Sequence, residues 1–137
     1  MKIICIGRNY AKHAEELNNP IPQEPVVFLK PDTAVLLKKH PFFIPEHSNN
    51  VHHEIELVVK INRLGKHIET RFAHKYYNEI ALGIDFTARD VQDDCKKKGL
   101  PWEKAKAFDG SAAVSNFFSL ESLKKEINNI DFYLDIN

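Results

Sequence analysis

His52-His53-Glu54-Ile55-Glu56-Leu57-Val58-Val59-Lys60-Ile61 alternates and then turns continuously apolar, the pattern of a strand entering a core. Side chains two apart on a strand share a face, roughly 6.5–7 Å apart along the chain. Glu54 and Glu56 therefore share one face with Val58, while Ile55, Leu57 and Val59 line the other. Two carboxylates on a strand sinking into a core repel each other and resist desolvation. A bound cation resolves both difficulties; a solvent-facing edge strand avoids them. His52 lies on the same face, so a His-carboxylate site for zinc or iron also fits the spacing.

Downstream, Ile80-Ala81-Leu82-Gly83-Ile84-Asp85-Phe86 is an apolar strand with one acid near its end. Gly83 is the same-face neighbour of Asp85 and leaves space beside it. Three carboxylates and no thiolate suit a hard ion such as Mg²⁺, with Mn²⁺ or Ca²⁺ as further options. Periodicity alone does not choose between His52 and Asp85 as the third ligand. Thr87 reads as the cap of a helix from Ala88 to Lys98, with Asp90 as the reciprocal capping acid. Gly99 ends that helix, and Pro101 prevents its continuation. Acids come early (Asp90, Asp93, Asp94) and lysines late (Lys96, Lys97, Lys98), as the helix dipole favours. The lysine run is thus better explained as a solvated helix end than as a phosphate site. Arg89 and Gln92, three apart, share a polar side next to the core stripe of Ala88, Val91 and Cys95.

Outward from this centre, Lys2 to Gly7 and Val26 to Lys30 read as short strands, with another around Phe42 to Ile44. Asn9 is placed to cap a helix from Tyr10 to Leu17, and Asn18 to Pro25 is a proline-rich loop. Further helices are expected over Glu69 to Tyr77 and Leu120 to Glu126, a strand and turn over Lys104 to Ala113, and a last strand over Asp131 to Ile136. No repeat, linker or low-complexity tract divides the chain, so residues 1–137 read as one α+β, β-rich domain.

With 137 residues, 43% hydrophobic and 28% charged, the chain is long enough for one globular core. Nineteen basic residues balance nineteen acidic ones, leaving no overall field for nucleic acid or an anionic membrane. Cys5 and Cys95 fit no CxxC metal or redox pattern. The apolar start, Ile3 to Ile6, is too short for a signal sequence or membrane span, and a cytoplasmic location is expected.

Several stretches together resemble the fumarylacetoacetate hydrolase family. His52-His53-Glu54-Ile55-Glu56-Leu57 is similar to its first metal-binding strand, and Gly83-Ile84-Asp85-Phe86-Thr87-Ala88-Arg89-Asp90-Val91-Gln92-Asp93 to its second. Lys97-Lys98-Gly99-Leu100-Pro101-Trp102-Glu103-Lys104-Ala105-Lys106-Ala107-Phe108-Asp109 continues the likeness, and Arg8-Asn9-Tyr10 and Phe28-Leu29-Lys30-Pro31 also fit. Within the family the likeness is to acylpyruvases, oxaloacetate decarboxylases and homoprotocatechuate-pathway isomerases. The resemblance implies a mixed-sheet β-roll, a homodimer, and Glu54, Glu56 and Asp85 as the metal ligands, which displaces His52. Water and the oxygens of a small 2-oxo acid would complete the coordination.

The resemblance also assigns roles. Lys106 matches the active-site lysine, whose ammonium would stabilise an enolate. Gln92 would hold a substrate oxygen, and Arg89 would orient Asp85 or the substrate carboxylate; Arg8 and Lys30 are further substrate-binding candidates. His13 and Glu16, three apart on the first helix, match a dyad in which the glutamate orients an imidazole acting as general base. Glu15 is adjacent, so that pairing depends on helix register. The implied activity is Mg²⁺-dependent C–C hydrolysis of a 2,4-dioxo acid of acylpyruvate or fumarylpyruvate type, giving pyruvate. Oxaloacetate decarboxylation, isomerisation of 2-hydroxyhepta-2,4-diene-1,7-dioate, and a non-catalytic metal-binding fragment are the alternatives.

Two departures from the family pattern stand out. Ala112-Ala113 follows Phe108-Asp109-Gly110-Ser111 where members often carry a small residue and proline. The sequence stops at Asn137, whereas members continue with a segment that includes a Thr-Gly-Thr-Pro loop. The expectation is a domain truncated at its C-terminus, with an unpaired edge on its last strand and an incomplete substrate pocket.

Overall fold

The computed structural model describes residues 1–10, 22–123 and 127–135. It is α+β and sheet-rich, as the short β-branched runs predict. Strands β1 (Ile3–Gly7) and β2 (Val26–Lys30) form a two-stranded antiparallel ribbon. Strands β3 (Val51–Ile61) and β4 (Tyr77–Ala88) form a long antiparallel pair, and β5 (Ala112–Val114) and β6 (Phe118–Ser119) both add to β4. A single parallel bridge, Val35 to Ala112, links the segment after β2 to β5, and the Leu36 N–H donates to Ala112 O at 2.8 Å. The functional face is set by the β3–β4 register: His52 opposes Thr87, Glu54 opposes Asp85 and Glu56 opposes Gly83.

Helix α1 (Arg89–Lys98) ends as expected on Gly99, whose φ of 65° is left-handed. The Gly99 N–H donates to Lys96 O and the Leu100 N–H to Cys95 O, satisfying two carbonyls the helix leaves open. Its start differs from the expected capping box. Ala88 is the cap residue and no side chain caps the helix. Thr87, the last strand residue but one, is wholly buried and directed to a lysine instead. Asp90 accepts from the Ser48 hydroxyl at 2.6 Å and the Asn49 N–H at 2.9 Å, pinning the segment before β3 to the helix.

Other expectations give way to tertiary context. Phe42 to Ile44 forms no strand; Phe42 stacks on Phe86 with ring centroids 3.8 Å apart. Thr70–Tyr76 is a 3₁₀ helix with no buried residue, so no apolar face holds it as an α-helix. Within the stretch expected as strand and turn, Glu103–Lys106 is helical (α2), because the Trp102 carbonyl accepts from Ala105 and Lys106, both at 2.9 Å, and Ala105 is buried. The expected helix at Leu120 is described over Leu120–Leu123 (α3). Residues 131–135 form no strand, in place of the expected last strand, and Tyr133 is 82% exposed. The expected helix from Tyr10 lies almost entirely outside the described residues.

The core consists of small side chains: Ala34, Ala81, Ala88, Ala105 and Ala112, with Ile80 and Cys95. Both cysteines are free. One face of the ribbon, Ile4 opposite Leu29 and Ile6 opposite Val27, is exposed. No helix among the described residues is long and apolar enough to cross a membrane.

Two features of this scaffold are testable. A Cβ at Gly83 would lie 2.7 Å from Val58 Cγ2 and 3.4 Å from Ala113 O. Gly83→Ala is expected to cost about 1–3 kcal/mol in urea unfolding through overpacking. Adding Val58→Ala should restore part of that loss; strictly additive effects would refute the clash. Asp90 has its carboxyl held below its ordinary value first by the Ser48 hydroxyl, then by the Asn49 amide. The folded state therefore binds that proton less tightly than the unfolded chain, and the stabilisation is full above pH 3.8 and fades below it. Asp90→Ala should lower the urea midpoint at neutral pH and converge on wild type in acid, whereas a gap that does not change with pH would show that the carboxylate charge is irrelevant.

Candidate functional site

Antiparallel pairing places the side chains of Glu54, Glu56, Asp85 and Thr87 on one face of the β3–β4 sheet. Small neighbours make that face deep: Gly83 opposes Glu56, and Ala112 of β5 opposes Asp85. Three further elements close over it. Strand β2 brings Lys30 at its end, α1 brings Arg89 and Gln92 in its first turn, and α2 brings Lys106. All four of these side chains are buried, although lysine and arginine are seldom buried without partners.

Lys106 is the hub. Its ammonium donates to Glu54 Oε2, Asp85 Oδ2 and Thr87 Oγ1, each at 2.7 Å, and lies 5.3 Å from the Phe28 ring centroid. Three acceptors for three N–H bonds leave the ammonium fully satisfied. Lys30 Nζ sits 2.9 Å from the other Asp85 oxygen, Oδ1. Arg89 donates to Glu54 Oε1 through Nη2, to His52 Nδ1 at 3.2 Å through Nε, and to Gln92 Oε1 at 2.5 Å through Nη1. Arg89 thus orients Glu54, where the sequence suggested Asp85 or a substrate.

The electrostatics follow from these contacts. Burial opposes ionisation of Glu54, yet Lys106 and then Arg89 outweigh it and hold the carboxyl at about 2. Glu56 lies on the other side of the balance. Burial raises its carboxyl, the Asp85 and Glu54 charges raise it further, and it stands at about 7. Burial lowers Lys30, with Asp85 opposing, and burial followed by the Arg89 charge lowers His52. Burial and the nearby Asp85 push the Cys5 thiol up to about 11, well away from a reactive thiolate.

Glu54 and Asp85 are spanned by an ammonium, and no three acidic, imidazole or thiol groups among the described residues are gathered to hold a metal ion as they stand. The chemistry of the face nevertheless fits a hard cation. Three carboxylates share it; Glu56 is raised by its two acidic neighbours, so added positive charge beside it is favourable. Asp85 Oδ1 is buried and accepts no hydrogen bond. A buried carboxylate oxygen paired with an ammonium 2.9 Å away already sits in a cation's place and is suited to a metal ligand.

The structure thus brings together seven of the residues singled out from sequence: Glu54, Glu56, Asp85, Lys106, Lys30, Arg89 and Gln92. Arg8 stands in the turn after β1 with a left-handed φ of 56°, and no bond ties it to the cluster among the described residues. His13 and Glu16 lie outside the described residues. Sequence reasoning missed Thr87, which was taken for a cap although its place two residues after Asp85 puts it on the same face. It also missed Ser111, which no periodic pattern marks, and Tyr10, whose hydroxyl accepts the Leu57 N–H at 3.3 Å.

Comparison with known proteins gives a consistent picture. Residues 2–137 match the family described as fumarylacetoacetate (FAA) hydrolase, C-terminal. The mitochondrial oxaloacetate tautomerase of Bos taurus is 44% identical over 135 residues, which are 98% of this chain and 61% of that protein. The mitochondrial oxaloacetate decarboxylase of Dictyostelium discoideum is 39% identical over 137 residues, 99% of this chain and 62% of the relative. The crystal structure of fumarylpyruvate hydrolase from Pseudomonas aeruginosa, in complex with Mn²⁺ and pyruvate, superposes with a TM-score of 0.81 at 35% identity, covering 90% of this chain and 55% of that one. The chain thus spans roughly three-fifths of the length of these curated relatives.

Lys106→Met keeps the stem and removes the ammonium, leaving Glu54 and Asp85 facing each other without their bridge. Breaking a buried pair in this way should destabilise the fold by about 3 kcal/mol at neutral pH. Urea unfolding measures it, and a loss below about 1 kcal/mol would show that the bridge contributes no more than a surface ion pair.

Proposed function

Because the chain belongs to the fumarylacetoacetate hydrolase family, we propose that residues 1–137 form part of a catalytic domain that binds a divalent cation and works on a small 2-oxo acid. One observation supports this above the others: a buried ammonium, Lys106, held between two carboxylates on a face built for charge. Glu54, Glu56 and Asp85 would hold the cation, Mg²⁺ or Mn²⁺; the Pseudomonas hydrolase that resembles this chain was crystallised with Mn²⁺. Once bound, the cation would supply Lewis-acid polarisation and a template for a chelating carboxylate and 2-oxo group.

The chain's own residues would do the remaining work. Lys106 can turn one of its three N–H bonds from a carboxylate to a substrate oxygen, meeting the negative charge that develops as the adjacent C–C bond breaks. Gln92, held by Arg89, would fix a second substrate oxygen. For a 2,4-dioxo acid, His13 oriented by Glu16 would take a proton from water as its oxygen attacks the 4-oxo carbon. The C3–C4 bond then breaks, its electrons pass to the enol of pyruvate, and protonation at C3 completes the products. Charge supports a dianionic substrate. Lys30, Lys106 and Arg89 balance Glu54, Asp85 and a Glu56 that a bound cation would keep ionised, so the dication favours a ligand carrying two negative charges.

A second reading, tautomerisation or decarboxylation of oxaloacetate, is supported by the Bos taurus and Dictyostelium relatives. It shares the same developing enolate on Lys106 but needs no water-activating base.

Turnover of acylpyruvates, fumarylpyruvate and oxaloacetate, with Mg²⁺ and with strong chelator, decides the matter. Chelation should abolish activity, and Lys106→Met should lower kcat by about 10²–10³-fold. His13→Ala should remove hydrolysis while sparing oxaloacetate tautomerisation. Undiminished turnover in chelator or in Glu54→Gln would defeat the proposal.

A further inference from the structure

Lys30 ends β2 with an ammonium whose side chain is 2% exposed, and its surroundings are unusual in having four acceptors for three protons. It donates to the main-chain carbonyl of Lys106, to Ser111 O at 3.1 Å and to Ser111 Oγ at 3.0 Å. The fourth neighbour, Asp85 Oδ1, is 2.9 Å away yet receives no hydrogen bond. The ion pair gives Asp85 Oδ1 the Coulomb attraction of the ammonium in a geometry that is not that of a directed hydrogen bond.

Ser111 makes this arrangement rigid. It is wholly buried, and its hydroxyl donates at 3.0 Å to the same Lys106 carbonyl that Lys30 reaches. That carbonyl closes α2, where helix carbonyls lack internal partners. The Ser111 N–H donates to Phe108 O at 3.1 Å, and Ser111 O accepts the N–H of Phe86, the residue after Asp85, at 2.9 Å. The serine is therefore fixed to α2 on one side and to β4 on the other.

We propose that Ser111 and Lys30 are positioning residues: their clamp sets the Lys106 ammonium, and by engaging all three Lys30 protons it keeps Asp85 Oδ1 open as a cation ligand. The second half rests on the metal reading above. Without the serine hydroxyl, one Lys30 N–H is released, and its nearest new acceptor is Asp85 Oδ1. That hydrogen bond competes with a cation for the same lone pairs.

Binding of Mn²⁺ alone, followed by calorimetry, tests this without turnover. Ser111→Ala is expected to weaken Mn²⁺ affinity by about tenfold, the usual range for a group that orients a metal ligand. Ser111→Cys, nearly isosteric with a weakly hydrogen-bonding thiol, should weaken it in the same direction. Cys95→Ala, a buried change in α1 away from the clamp, should leave it unaltered. Unchanged affinity in folded Ser111→Ala and Ser111→Cys overturns the inference while leaving the metal reading intact; a wild-type chain that binds no Mn²⁺ removes the metal reading itself. Nitrogen-labelled lysine provides a second measurement that needs no serine variant. A clamped Lys30 ammonium should give slowly exchanging protons that persist when Mg²⁺ is added, and exchange as fast as that of a surface lysine would disprove the clamp.

Discussion

Everything in this fold is conditioned by one pairing: Glu54 opposite Asp85 across two central strands, on the face that turns inward. Two carboxylates so placed are tolerable only if positive charge reaches them, since burial of like charges is among the costliest arrangements a chain can adopt. The surrounding elements supply that charge from three directions, with Lys106 from a short helix, Lys30 from the ribbon and Arg89 from the first turn of α1. The small core and the positions of α1 and α2 make sense as the packing that brings these cations within reach. Structure and chemistry are hard to separate here, because the groups that neutralise the buried face also tie its elements together.

The charges are shared unevenly. Glu54 is held strongly ionised by two cations, while at Glu56 burial and the acidic neighbours outweigh Lys106 and the Tyr10 hydroxyl. Such separation of similar groups on one face is characteristic of sites where acid–base or metal chemistry takes place. Gly83 contributes by what it lacks: a side chain there would meet Val58 and crowd the strand beside Glu56.

Much of this was legible in the chain. The period-two placement of Glu54 and Glu56, the solitary acid in the apolar run ending at Asp85, and the spacing of Arg89 and Gln92 each reflect a local regularity that survives folding. What could not be read depended on distant partners. Thr87 satisfies every sequence criterion for a helix cap, yet a lysine from a remote helix claims its hydroxyl, and Ala88 caps without a side chain. Phe42 has the composition of a strand but is taken by the Phe86 ring. Ser111 carries no pattern because its role comes from four bonds to groups outside its own turn. The family resemblance supplied Lys106, which composition alone would place on the surface, and burial at 2% exposure shows why that default fails.

The bonds that assemble the site also span most of the described sequence: 21 positions for Lys106 to Asp85, 52 for Lys106 to Glu54, and 81 for Lys30 to Ser111. No hairpin or helix taken alone can display the constellation, and nascent chain must emerge past residue 111 before its electrostatics can close. Non-local contacts of this kind are entropically late in folding. The acidic face of β3 and β4 is therefore fully neutralised only when segments from both ends of the described sequence have closed on it.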